Sequence, residues 1–188
     1  LFLEFYGVLL GDGWLSKLKY KNKVIYLIGI SGNKNLDKEF HLYCKNNISI
    51  LFNRKPYLKE LKNCNGRELL FSHKELHSFL NDNLDFPIGL KKNLKIKEEI
   101  FNKGYDQVKY IIRGIFDTDG CFYFDKTPAD KPYPCLSITM KEPILMDQIY
   151  STLISQGFKV YHYKSKRIEK LILKGSKQLK KWIMEIGS

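Results

Sequence analysis

The sequence FYGVLLGDG at residues 5–13 has a counterpart about half a chain later, IRGIFDTDG at residues 112–120. Each stretch has the apolar pattern of a short helix, with two small residues four positions apart on one stripe. These small residues are Gly7, Gly11, Gly114 and Thr118. Because such a stripe lacks side-chain bulk, we expect the two helices to pack against each other backbone to backbone. Each stretch closes with Asp-Gly, and we expect the glycine to end its helix in the left-handed conformation.

Both motifs place a carboxylate, Asp12 or Asp119, at the C-terminal end of a helix. The helix dipole disfavours negative charge there, and two carboxylates brought together also repel each other. A divalent cation would compensate both effects. The alternative is that Asp-Gly merely ends a helix, which would explain a single such aspartate better than it explains two. Asp117 lies two positions before Asp119 and points elsewhere on the helix, so we expect it to be solvated or locally hydrogen-bonded. The sequence thus favours metal binding by Asp12 and Asp119.

The composition points to a polyanionic partner. Lys and Arg number 32 against 20 Asp and Glu, which gives a net charge of +12. Such an excess suits nucleic acid or an acidic membrane surface, although an AT-rich genome alone could account for Lys over Arg. No apolar run approaches the roughly 18 residues of a membrane span, and we find no basic amphipathic helix, lipidation signal or signal peptide. Nucleic acid is therefore the expected partner.

The cysteines and histidines do not form a recognisable metal motif. The four cysteines lack Cys-x-x-Cys spacing, so we expect reduced thiols in an intracellular, cytoplasmic protein, with an organelle left open. His73 and His77 are spaced as in His-Glu-x-x-His, but Lys74 occupies the position of the metalloprotease base. We expect these two histidines to be surface or capping residues.

The rest of the chain repeats one order of elements, so we predict an α+β fold of two αββαββα halves. The halves are expected at 1–84 and 106–188, joined by a Lys-rich, solvated linker at 85–105. Lys17, Lys19 and Lys21 alternate along the first strand and form one basic face. The predicted strands are 15–21, 24–30, 56–62, 67–72, 122–124, 136–140, 158–164 and 168–174, with a proline-rich loop at 127–134. In the first half we predict one helix with a stripe of Leu36, Phe40 and Tyr43 and another at 74–83. In the second half we predict helices from Pro143 to about Gln156 and at 176–186.

With its motif in two copies, the sequence resembles the LAGLIDADG family of homing endonucleases in its single-chain form, near the compact archaeal intron-encoded members. The resemblance implies pseudo-symmetric halves packed through the motif helices, with antiparallel sheets forming a saddle over DNA. It implies that Asp12 and Asp119 are catalytic and bind divalent metal at the scissile phosphates, with the Gly11 and Thr118 carbonyls as further ligands. We expect Mg²⁺, with Ca²⁺ as a substitute that does not support cleavage. Mg²⁺ held by carboxylates suits phosphodiester hydrolysis, because it positions water and neutralises developing charge.

The resemblance also implies a Lys or Gln just after the second strand of each half, where it organises waters near the cleavage site. Lys141 fits in the second half, whereas Gly32, flanked by Ser31 and Asn33, takes that place in the first. The first half is therefore expected to be the weaker catalyst, and nicking of one strand is an alternative to clean double-strand cleavage. The predicted DNA contacts are Lys17, Lys19, Lys21, Lys59, Arg67, Tyr123, Lys164, Arg167 and Lys170, each with an ordinary solvated strand face as the alternative.

The sequence therefore predicts a monomeric, Mg²⁺-dependent, site-specific endonuclease that cuts a long, imperfectly palindromic double-stranded DNA. One rival is a maturase that binds intron RNA and cuts nothing. Another is a DNA-binding regulator of the same fold that has lost catalysis, although a pure binder has no use for two repelling carboxylates.

Overall fold

The computed structural model describes residues 1–126 and 132–187, so most of the predicted proline-rich loop, at 127–131, lies outside the described residues. The chain divides after Lys92 into two compact units. This division falls within the predicted linker.

The first unit is built on one four-stranded antiparallel sheet with three helices. Its elements are α1 (Phe2–Asp12), β1 (Gly13–Tyr20), β2 (Lys23–Asn33), α2 (Lys38–Phe52), β3 (Tyr57–Glu60), β4 (Gly66–Ser72) and α3 (Lys74–Asp82). The strand order is β1-β2-β4-β3.

The second unit repeats this order after a short additional helix. Its elements are α4 (Glu98–Phe101), α5 (Tyr105–Asp119), β5 (Gly120–Asp125), β6 (Tyr133–Met140), α6 (Pro143–Ser155), β7 (Val160–Lys164), β8 (Glu169–Lys174) and α7 (Ser176–Glu185). The strand order β5-β6-β8-β7 matches that of the first sheet. The predicted α+β class and αββαββα order are confirmed.

Each sheet has one face covered by the helices of its own unit. In the first unit Leu15 lies opposite Ile28, and Ile28 lies opposite Phe71. Directly opposed residues share a face, and the Phe71 ring packs against Phe5 of α1 and Phe52 of α2, at 6.4 and 6.2 Å between ring centroids. We call this side the helix-covered face and the opposite side the outer face. The second sheet is arranged alike, with Leu136, Ile138 and Leu171 buried on its helix-covered face.

The two motif glycines act by close approach and not by a left-handed turn. Gly13 has φ −81° and Gly120 has φ −86°, both extended, so the expected left-handed helix ends are wrong. Each strand begins at the residue after its helix and passes directly over the last helical turn. A Cβ on Gly13 would lie 2.4 Å from the Leu9 Cα, and one on Gly120 would lie 2.2 Å from the Phe116 carbonyl oxygen. Only glycine permits this approach.

The predicted apolar stripe of the second helix is wrong. Helix α2 begins at Lys38, and Leu36 lies in the preceding turn, 84% exposed. The Asn33 side chain closes this turn, because its Oδ1 accepts the Leu36 backbone N–H at 3.2 Å. An Asn-capped turn therefore delays the helix by about half a turn. The buried residues of α2 are His41, Cys44 and Ile48.

The two histidines flagged by their spacing behave differently. His73 precedes α3, and its Nδ1 accepts the Leu76 backbone N–H at 3.3 Å, which confirms a capping role. The expected surface position of His77 is wrong, because this residue is fully buried with its ring 5.3 Å from that of Tyr26. Burial lowers the pKa of His77, and the nearby Lys17 ammonium lowers it further.

Candidate metal centre and nucleic-acid surface

Helix α1 ends on Asp12, and this half-buried carboxylate directly precedes the first residue of β1. The chain continues without a loop, since the Gly13 N–H still donates to the Leu9 carbonyl of the last helical turn. The carboxylate and the Gly11 carbonyl thus occupy the junction between a helix and a sheet. Both are oxygen donors, which Mg²⁺ and Ca²⁺ prefer.

Lys91 lies at this junction. Its Nζ donates to the Leu10 carbonyl at 3.2 Å and to the Gly11 carbonyl. The expectation that the linker lysines are merely solvated is wrong for Lys91, which is half-buried. The last carbonyls of a helix carry the negative end of its dipole, so they attract cations. A charged amine on these oxygens shows that the donor set suits a cation.

The second unit has the equivalent junction at Asp119, the last residue of α5. Thr118 stands where the first copy has Gly11, and its Oγ1 lies 2.9 Å from the Ile115 carbonyl and 3.0 Å from Asp119 Oδ2. The hydroxyl therefore contacts the carboxylate as well as its own helix. The donor set is again all oxygen, with one hydroxyl more than in the first unit.

Lys141 is exposed and follows directly after β6. Strand pairing identifies its counterpart, because Gly13 lies opposite Ile30 and Gly120 opposite Ile138. Three residues further along, Lys141 corresponds to Asn33, so the expected counterpart Gly32 is wrong by one residue. Leu36 lies in a turn and not in α2, and this shifts the alignment of the two halves by one residue. The Asn33 N–H donates to Asp37 Oδ2 at 2.6 Å.

Three of the predicted DNA contacts lie on the outer faces: Lys59, Tyr123 and Lys170. Lys59 pairs with Glu68 on the neighbouring strand at 3.6 Å. The Lys170 ammonium lies 5.5 Å from the centre of the Tyr123 ring.

Four others lie on the helix-covered faces: Lys17, Lys19, Arg67 and Lys164. The Arg67 side chain is only 12% exposed and lies 3.4 Å from Glu60, while Lys164 bonds Asp147 at 2.5 Å. The lysines of β1 do share a face, but it is the face of buried Leu15. The remaining two, Lys21 and Arg167, occupy hairpin turns.

The outer face of the first sheet has fewer charges than predicted. Ser16, Leu18 and Tyr20 of β1 point to this side, and Tyr20 is 64% exposed. Trp14 lies across Gly29, where a Cβ would come within 2.3 Å of the indole. Polar, aromatic and aliphatic side chains therefore alternate on this surface.

The outer face of the second sheet is a lattice of tyrosines and lysines. Lys174 lies 5.3 Å from the Tyr161 ring centre, which complements the Lys170–Tyr123 pair. Burial raises the pKa of the Tyr123 hydroxyl, which keeps it a neutral donor. Sequence reasoning found only part of this lattice, although the alternation at 160–164 carried the signal. Its members are Tyr123, Tyr133, Tyr161, Tyr163, Lys170 and Lys174.

A histidine–carboxylate cluster lies on the helix-covered face of the second unit. His162 Nε2 lies 2.7 Å from Glu169 Oε2, and its Nδ1 lies 3.8 Å from Asp147 Oδ1. Within the described ranges these three residues are the one group of His, Cys, Asp or Glu with ligand atoms close enough to hold a metal, all within 4.8 Å. Both imidazole nitrogens face a carboxylate, and Lys164 also bonds Asp147. These contacts explain the cluster as a tie between α6 and the β7-β8 hairpin, which no sequence spacing revealed.

Two observations bear on the broader expectations. None of the helices in the described residues is long and apolar enough to cross a membrane. All four cysteines are free.

Comparison with known proteins identifies the fold. No protein-family model and no curated protein sequence matches the chain. Among solved structures, the chain is similar to I-DmoI in complex with DNA and Mn, with a TM-score of 0.67 and 21% identity over 99% of this chain and 95% of that one. Another structure of I-DmoI, in complex with DNA and Ca, matches at 22% identity and a TM-score of 0.67 over 98% of this chain and 87% of that one.

A more distant match is the LAGLIDADG homing endonuclease I-LtrWI bound to target DNA, with a TM-score of 0.61 and 16% identity over 98% of this chain and 82% of that one. The structural neighbours are thus LAGLIDADG homing endonucleases. The resemblance seen in the sequence is confirmed at the level of the fold.

Proposed function

We propose that this protein is a metal-dependent endonuclease that cuts a long double-stranded DNA target. The observation that carries this proposal is the repeated junction at which a half-buried carboxylate, Asp12 or Asp119, ends a helix and directly precedes a strand. The junction occurs in a chain of net charge +12. Its fold is that of I-DmoI, which has been solved with DNA and Mn or Ca.

Each unit would hold one divalent cation. Asp12 with the Gly11 carbonyl, and Asp119 with the Thr118 carbonyl, are the proposed ligands, and Mg²⁺ is the proposed ion, with Ca²⁺ as a non-cleaving substitute. When bound, the ion supplies an activated water and neutralises charge at the phosphoryl group. Lys141 is exposed after β6, and its ammonium is proposed to orient solvent and offset charge near the second carboxylate.

The outer faces are the proposed DNA surface. Lysines such as Lys59 and Lys170 would contact phosphates, while tyrosines and Ser16 would contact base edges in the groove. Residues on the helix-covered faces are not proposed to contact bases, because their side chains point away from the outer faces. Lys21 and Arg167 remain proposed phosphate contacts from the turns. The protein would act as a monomer inside the cell, where its free cysteines stay reduced.

Cleavage of a randomised DNA library with Mg²⁺, followed by sequencing of the cut ends, tests the proposal. We expect the wild type to cut one long sequence. Asp12→Asn and Asp119→Asn should each abolish double-strand cleavage but retain binding of that sequence in Ca²⁺, measured by gel shift. Asp117→Asn is the matched control from the same helix end and should still cut. Wild-type cutting by either Asp12→Asn or Asp119→Asn would refute the assignment.

The rival functions give different results in the same assays. A maturase would bind structured intron RNA tightly and leave DNA uncut with every divalent metal. A regulator would bind a DNA sequence in Mg²⁺ without nicking either strand. The repetition of the carboxylate at both helix–strand junctions favours the nuclease over both.

A further inference from the structure

Lys91 is held at the end of α1 by an anchored segment of chain. The residues after α3 run beside β1, where Ile88 pairs with Leu15 and the Gly89 N–H donates to the Leu15 carbonyl at 2.9 Å. Phe86, which is 1% exposed, fixes the start of this segment in the core. The backbone that carries Lys91 is therefore positioned by the same strand that follows Asp12.

The ammonium of Lys91 hydrogen-bonds to an oxygen that is also a proposed metal ligand. It donates to the Gly11 carbonyl and lies 3.2 Å from the Leu10 carbonyl. A divalent ion bonded to the Gly11 oxygen would sit within a few ångströms of this amine, and like charges at that distance repel strongly in a half-buried site. The two cations therefore exclude each other from this position.

We propose that Lys91 is a built-in counter-cation that competes with the divalent metal for the Gly11 carbonyl and sets the metal affinity of the first unit. This inference rests on the proposed function. The lysine neutralises the helix end until a metal ion enters, and its flexible four-carbon stem lets the ammonium withdraw without backbone movement. Metal binding to the first unit thus includes the loss of a charged hydrogen bond.

A purely structural role makes a different prediction. A lysine that only caps the helix stabilises the fold, and its removal lowers the melting temperature without changing metal affinity. A lysine that supports the bound metal gives the reverse of competition, since its removal weakens metal binding. Direct measurement of metal affinity separates all three roles.

The test is calorimetric titration of CaCl₂ into the full chain without DNA. The Asp119→Asn background confines binding to the first unit. We expect Lys91→Met to bind Ca²⁺ at least about 10-fold more tightly than this parent, about 1.4 kcal/mol. Lys91→Arg keeps the charge and should stay within about 3-fold of the parent. Lys92→Met, at the exposed neighbouring position, is the matched control and should not change the affinity.

The possible outcomes distinguish the role of Lys91 from the proposed nuclease function. Equal or weaker Ca²⁺ binding by Lys91→Met, with the parent still binding, overturns the role of Lys91 and leaves the nuclease proposal standing. Absence of Ca²⁺ binding by the parent and by every variant also overturns the role of Lys91, whereas the nuclease proposal is overturned only by the cleavage assay with the Asp12 and Asp119 variants. If Lys91→Met does not fold, Lys91→Gln keeps a neutral donor at the same place and must show the same gain in affinity.

Discussion

Replacing Gly13 with alanine should destabilise the first unit, because the added methyl group has no room. Its Cβ would lie 2.4 Å from the Leu9 Cα and 2.8 Å from the Leu9 carbonyl oxygen, whereas ordinary contacts begin near 3.4 Å. Both obstructing atoms are backbone, so the helix end must move by about 1 Å. Overpacking of this kind costs about 3 kcal/mol, and the lower entropy of the unfolded chain returns somewhat less than 1 kcal/mol. The net loss is about 2 kcal/mol.

Scanning calorimetry measures this loss. For a chain of this length, 2 kcal/mol lowers the melting temperature by roughly 4–8 °C. Gly66→Ala is the matched control, because its Cβ would meet only the far end of a flexible side chain, Leu61 Cδ1 at 2.9 Å, and we expect a shift of at most about 2 °C. A Gly13→Ala protein that melts with the wild type, or a control that shifts as far, would refute the reasoning. The displaced Asp12 should also cost DNA cleavage in Gly13→Ala.

Three further predictions follow from the buried polar groups and the outer face. Glu169→Gln removes a charge buried against a histidine and should cost about 3 kcal/mol in urea unfolding, while Glu60→Gln, whose carboxylate is 62% exposed, should cost less than about 1 kcal/mol; equal costs would contradict this. Burial lowers the pKa of His41, as it does that of His77, so the unfolded chain takes up protons first and stability should fall as pH drops below about 6.5, with His41 contributing at most about 1.4 kcal/mol per pH unit. His41→Leu should reduce the difference in the free energy of unfolding between pH 7.5 and pH 5.5. An unchanged difference would mean that other groups cause the pH dependence. Lys170→Gln should weaken DNA binding and reduce the salt dependence of log Kd by about one unit of slope, which titrations at several salt concentrations would show; an unchanged slope would remove Lys170 from the DNA surface.

The order of elements was predictable because local signals agree with the tertiary structure. The Asn-Gly pair at 65–66 predicts a hairpin, and residues 61–65 do join β3 to β4, with Gly66 as the first residue of β4. Helix α6 begins at Pro143 and stops before Gly157, whose φ of +72° is the left-handed value that favours glycine. These residues determine the conformation of their immediate neighbours in the chain, so the sequence alone was enough to predict these elements.

The orientation of the first strand was not predictable from alternation. A period of two shows that Lys17 and Lys19 share a face, but not which face the helices cover. The decisive residue is Leu15, which has the same parity as the lysines and is fully buried. The lysines lie on the same side but beyond the core, so they are exposed although they belong to the helix-covered face.

Lys91 and the histidine–carboxylate cluster depend on contacts between distant parts of the chain. Lys91 meets the end of α1 from 80 residues away. Asp147, His162 and Glu169 come from a helix and two strands, at spacings that match no motif. Such groups become visible only when the register of the sheet is known.

Under the proposed function, the direct passage from α1 into β1 has a consequence for any attempt to change the DNA sequence that this protein recognises. One peptide bond separates Asp12 from the strand, so a substitution that tilts the sheet to accommodate another base pair also shifts the carboxylate. Changes near Trp14 and Gly29, where the indole leaves no free volume, should therefore yield variants that still recognise a sequence but turn over slowly. Selection for altered preference should score product formation from the outset, because enrichment for affinity alone would retain inactive clones.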